Sequence, residues 1–169
     1  MSNYINGTSL ILMINTTGST YKPVASATSH SIEKKTEMLK TSNKSTGNFE
    51  TSIPGRKSAS LTVEGMVSFD INICNYKTLS DLFDNQTLVY IISPLIKSEN
   101  VPLFDTSGYT MTIASTGLTN TQDAIEEGTP AFYAAAYISA LSLSSPDAAT
   151  CTFNASFDIA GEFQTLIIQ

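Results

Sequence analysis

The chain holds a single histidine, His30, in the polar run Ala27-Thr28-Ser29-His30-Ser31, together with 22 serines from which a nucleophile could be drawn. A Ser/His/Asp triad assembles only in the fold, so sequence alone does not exclude one. No Gly-x-Ser-x-Gly elbow or His-Glu-x-x-His helix accompanies His30, and with so many serines the nearness of one carries no information. The segment Pro54-Gly55-Arg56-Lys57-Ser58 has the ending of a phosphate-binding loop, but Glu50 stands where its first glycine belongs and Arg56 intrudes before the lysine. A turn leading into a strand is the better reading. Asp123, Glu126 and Glu127 lack the alternate-position spacing of a calcium loop and read as a solvated segment. Cys74 and Cys151 are too few for a disulfide framework and too far apart for a metal motif, so both are expected to be small buried apolar residues, with a disulfide between them as the lesser reading. There is no tryptophan, and the aromatic residues are scattered, which leaves no platform for stacking single-stranded nucleic acid or sugar rings. The expected catalytic, cofactor and metal residues are therefore none, and the chain reads as a protein that is not an enzyme.

The elements that position these residues are strands. At 169 residues the chain has the length of one domain with a proper core, expected over 1–169. Only 14% of residues are charged, and 22 serines and 22 threonines take their place. Such side chains sit poorly in helices and well in strands and turns, which argues against a helical bundle. A net charge of −6 argues against a protein whose task is to grip nucleic-acid phosphate or an anionic membrane. The first residues carry no basic region, and the apolar run Leu10–Ile14 is shorter than an export signal requires, so the chain is expected to stay where it is made.

Alternation at period two is strongest from Leu61 to Ile73, where Leu61, Val63, Val67, Phe69 and Ile71 face one side and Thr62, Glu64, Ser68 and Asp70 the other. A second alternation runs from Ala149 to Ile159, with Cys151, Phe153 and Phe157 opposed to Asn154, Ser156 and Asp158. Phe132 to Leu143 is apolar on both faces, and Ser145-Pro146-Asp147-Ala148 joins it to the second alternation as a hairpin. Further strands are expected at Ser9–Asn15, Gln86–Ile92 and Tyr109–Ser115, and a polar extended segment at Thr28–Glu37. One short helix is expected over 75–84, with Tyr76, Leu79, Leu82 and Phe83 at helical spacing, Asn75 as its cap and Asn85 at its close. Between Lys40 and Lys57 all periodicity is lost. A polar loop of that length in a compact domain is either disordered or ordered by a partner.

The order of segments resembles the major tail tube proteins of long-tailed bacteriophages. Ala27-Thr28-Ser29, then Thr41-Ser42-Asn43-Lys44-Ser45-Thr46-Gly47, then Ile53-Pro54-Gly55-Arg56-Lys57-Ser58 leading into Leu61-Thr62-Val63, are similar to three ordered motifs of that family's N-terminal half. Ala136–Leu143, the turn at Pro146-Asp147, and Ala149–Phe153 followed by Phe157 and Gly161 resemble its closing hairpin. The resemblance implies an antiparallel β-sandwich or small barrel with one flanking helix. It further implies hexameric rings that stack into a hollow tube, the passage of a genome through it, and tape-measure, tail-terminator or baseplate proteins as partners. No cofactor is implied, and the location is the virion tail, with assembly in the host cytoplasm. The inner tube of a secretion or contractile injection system is the alternative, and a β-sandwich carbohydrate-binding module a more distant one.

Within that frame, a tube subunit needs strands with one face on its own core and one toward the channel. Glu64, Asp70 and Asp158 on the wet faces are the expected lumen-facing residues, where like charge keeps DNA sliding. The 40–57 segment is expected to be disordered in a free subunit and to order on a neighbour. Its contact candidates are Lys40, Thr41, Asn43, Lys44, Phe49, Glu50, Arg56 and Lys57.

Overall fold

The computed structural model describes residues 7–15, 20–24, 27–42, 45, 47, 49–68, 74–97, 109–114, 117–120 and 125–169. Among the described residues nine strands and one α-helix follow one another: β1 (Met13–Asn15), β2 (Thr20–Pro23), β3 (Ala27–Lys40), β4 (Ser52–Met66), α1 (Tyr76–Asp84), β5 (Val89–Ser93), β6 (Tyr109–Ala114), β7 (Gly117–Asn120), β8 (Pro130–Ser144) and β9 (Thr152–Ile167). A one-turn 3-10 helix at Gly7–Ser9 precedes β1, so the strand expected from Ser9 begins later. The pairings among these strands are antiparallel and run β3-β4-β9-β8-β5-β1-β2-β6-β7. The expected mainly-β antiparallel architecture with a short flanking helix is what forms, though the pairings end at β3 and β7 and do not close into a barrel among the described residues.

The sheet folds over on itself. β3 and β5 are separated by three strands, which in a flat sheet would put them roughly 19 Å apart. Yet the His30 ring on β3 lies 3.2 Å from the Ser93 hydroxyl on β5. Lys34 on β3 likewise donates to the Thr165 hydroxyl on β9 at 3.4 Å and stands over the rings of Phe132 and Phe163. The hinge lies in the β8–β9 hairpin. Its register shifts once between Ile138 and Ala140, and again where Ala134–Ala136 faces Ile159–Phe163, leaving extra residues on β9 around Gly161. Gly161 has φ +101°, a conformation that side chains disfavour, and such bulges are where strands bend from one layer into another. One half of β9 thus pairs with β4, and the other continues beside the start of β8.

Among the described residues two apolar clusters fill the fold. Leu61, Val63, Phe153, Ala155 and Phe157 join Leu12, Ile14, Ile91, Leu79 and Leu82 in one, with α1 as its lid. Ile11, Met13, Tyr21, Ile92, Ile96 and Leu166 form the other. Adjacent residues of β1 and β5 point into different clusters, and for this reason these strands are apolar on both faces. The strand expected at Gln86–Ile92 is β5, which starts at Val89 and lies between β1 and β8.

The helix follows its sequence signals. The buried Asn75 side chain accepts from the Thr78 amide at 3.0 Å and its hydroxyl at 3.2 Å, and Asn85 closes the last turn through the Asp81 carbonyl. Leu79 and Leu82 are buried, Tyr76 packs at the cluster's edge against Phe153, and Phe83 faces outward.

Candidate assembly surfaces

Two surfaces gather the residues singled out by sequence, and the first is an arm. The 40–57 segment is a loop only from 41 to 51. β3 and β4 pair from Ala27 opposite Gly65 to Lys40 opposite Ser52, so residues 52–57 are strand and the hairpin projects as a two-stranded ribbon. β4 pairs with β9 only from Ser60 to Met66, and among the described residues no third strand lies beside the ribbon beyond Lys34. Six residues from Lys34 to Lys40 reach about 20 Å. Both faces of such a ribbon are wet, so its sequence has no need to alternate, and periodicity gave no sign of it.

The tip is organised by side chains as well as backbone. The Thr41 amide donates to the Thr51 carbonyl at 2.9 Å, the two threonine hydroxyls lie 3.1 Å apart, and the Thr51 amide donates to the Ser42 hydroxyl at 2.7 Å. Lys40 pairs with Glu50. Where Thr36–Met38 faces Pro54–Lys57 the ladder carries a bulge, which accommodates a proline that has no N–H to give. Gly55 sits in it, and a Cβ there would meet the Glu37 carbonyl and the Leu39 side chain at 3.2 Å. Met38, Leu39, Ile53 and Phe49 are large apolar groups open to solvent at this end, Phe49 at 81%. Lys40, Thr41, Glu50, Arg56 and Lys57 are all exposed here, while Asn43 and Lys44 lie outside the described residues.

The second surface is the outer face of the β3-β4-β9-β8 layer. Three rows cross it: Glu33, Ser60, Asp158 and Tyr137; then Ser31, Thr62, Ser156 and Ala140; then Ser29, Glu64, Asn154 and Ser142. The opposite face of the same strands carries Leu61, Val63, Phe153, Ala155 and Phe157. The long alternations therefore divide dry from wet as the sequence predicts. Glu64 and Asp158 both reach the hydroxyl-rich side. β3 adds an exposed Glu33–Lys35 ion pair at 3.1 Å, which the two alternations alone did not disclose. β4 ends at Met66, so the strand is shorter here than the alternation to Ile73, and Asp70 lies outside the described residues.

The groups with chemical potential are engaged in packing. Burial lowers the pKa of His30, which favours its neutral ring against Ser93. Burial pushes the Cys74 thiol up to about 12, leaving an inert apolar group. Cys151 is also free but only half-buried, with its thiol 3.2 Å from the Ser145 hydroxyl, and does not share the fully buried position expected of it. Tyr21 is raised to about 12 by burial, with the neighbouring Tyr133 and Tyr90 adding to the effect. Among the described residues no group of three His, Cys, Asp or Glu side chains is placed to hold a metal ion. Asp123 lies outside them.

No protein-family model matches the chain, and no curated protein matches it. Solved structures do. A chain from the tail of an empty gene transfer agent particle with C6 symmetry is 14% identical, covers 96% of this chain and 98% of its own, and superposes with a TM-score of 0.66. The SPP1 tail tube protein is also 14% identical, covering 98% of this chain and 81% of its own at 0.66. A chain of the PVC extracellular contractile injection system, in its sheath–tube complex, is 13% identical and covers 97% and 93% at 0.58. From end to end, then, this chain has the fold of proteins that build phage-like tails and contractile injection machines.

Proposed function

We propose that the chain is a structural subunit that assembles with copies of itself into stacked hexameric rings, forming a hollow tail tube for the passage of DNA. The observation that carries this reading is the likeness in fold to tail proteins over nearly the whole chain. The subunit's chemistry supports it. Exposed apolar side chains crowd the tip of a projecting arm, and such patches mark surfaces that other proteins cover. The hydroxyl-rich face, with Glu64 and Asp158, suits a channel wall that repels phosphate without binding it. The arm, through Lys40, Thr41, Phe49, Glu50, Arg56 and Lys57 with Asn43 and Lys44, is the contact between neighbours.

The role is structural and not catalytic. Tape-measure and terminator or baseplate proteins are the remaining partners, and the place of action is the virion tail after assembly in the host cytoplasm. The inner tube of a contractile injection system is the second reading, favoured by the match to the PVC sheath–tube complex. Sedimentation of the purified protein over a range of concentrations tests the proposal. Growth from subunit to ring-sized and larger species is expected, and a single subunit-sized species throughout contradicts it. Deleting residues 43–50 is expected to abolish the larger species while leaving the subunit folded.

A further inference from the structure

Charge is divided unevenly along the chain. Residues 33–57 hold six of its nine cations and three of its fifteen acids, a net of +3. The remainder holds three cations and twelve acids, a net of −9. The basic part is the arm, so the body it projects from is the natural complement of another copy's arm.

A cavity of about 210 Å³ lies at the opposite end of the same β3–β4 ribbon, on the outer face of the folded sheet. Thr28, Glu64, Ser142, Ser144, Thr152 and Asn154 line it. The Glu64 carboxylate is held there by two donors, the Asn154 amide at 3.0 Å and the Ser29 hydroxyl at 3.4 Å. Hydroxyls around one fixed carboxylate make a seat for a Lys ammonium or an Arg guanidinium, which would take the carboxylate as its counter-ion and the hydroxyl oxygens as further acceptors.

The subunit's own arm cannot fill this seat. Twelve residues separate Glu64 from Ser52 along a paired strand, a span of about 40 Å. Lys40, Arg56 and Lys57 on the arm and the acidic seat at Glu64 lie apart along one ribbon, and a contact between such separate patches on different copies is heterologous and repeats along a line. We propose that the Glu64 cavity receives a cationic side chain from the arm of a second copy, and that this contact joins successive subunits along the axis of the assembly. The inference rests on the tube reading and assigns its axial joint. Glu64 then closes the joint at the end of the channel wall, while Asp158 stays within the wall.

A charge-swap complementation tests it. One variant carries Glu64→Lys and the other Lys40→Glu, Arg56→Glu and Lys57→Glu, and circular dichroism establishes that each is folded. Each alone is expected to lose long assemblies, with its critical concentration raised at least tenfold, because its arm and seat now carry like charge. Mixed in equal amounts the two are expected to regain assembly, each presenting the pole that the other lacks. Assembly of Glu64→Lys alone at the wild-type concentration overturns the inference, as does failure of the mixture to assemble. Failure of the wild-type protein to assemble at any concentration instead refutes the tube reading beneath it.

Discussion

His30 and Phe157 show how single residues hold the fold that presents these surfaces. His30 is held neutral by burial and hydrogen-bonded across the fold to Ser93, which is itself buried. Its pKa in the fold lies below the ordinary value, so the unfolded chain binds more protons as pH falls through 6.5. Stability from this group is complete above that value and is lost as pH falls toward the lowered one. A urea midpoint that declines between pH 7 and pH 5, with a shallower decline in His30→Gln, is the expected result, and equal declines would assign the effect elsewhere. Phe157 is fully buried at the centre of the larger cluster, so Phe157→Ala should cost about 3–5 kcal/mol in urea unfolding. Phe157 was legible as core because its strand alternates. The contact between His30 and Ser93 was not, since residues 63 apart meet only once the sheet has folded over.

Among the elements, α1 and the outward faces of β4 and β9 could be read directly, each obeying one period with one wet side and local caps or turns. The arm could not. A ribbon with solvent on both faces places no demand on alternation, so Ser52–Lys57 looked like loop although it is strand paired with β3 across one bulge. The fold-over was hidden for a different reason: of the bulged positions in the β8–β9 hairpin, only Gly161 left a trace in composition. Gly55 tests the arm as an element. Gly55→Val would force its side chain against the Glu37 carbonyl, so it should disturb the ribbon and impair assembly while leaving the thermal transition of the body nearly unchanged. A variant that assembles normally would show that the arm's shape does not matter to the contact.

For the whole molecule, scarce charge and abundant hydroxyls take on a sharper sense. The charges present are segregated, with a basic arm at one pole and an acidic body behind it, and hydroxyls cover the broad face between. A subunit surrounded by copies of itself has little surface left for isolated Lys or Glu, whose burial is costly, whereas hydroxyls can meet a neighbour cheaply. If attraction between arm and body directs assembly, raising salt from about 0.05 to about 0.5 M should slow tube growth several-fold, because screening shortens the reach of exposed charges. Light scattering during assembly reads this, and a rate independent of salt would leave the apolar tip as the driving contact. The central claim, that this chain builds a hollow tube, is tested most directly by negative-stain electron microscopy of the purified protein across a concentration series. Six-fold rings and stacked tubes with a stain-filled central channel are the predicted result, and a field of single particles without a central hole at every concentration would contradict it.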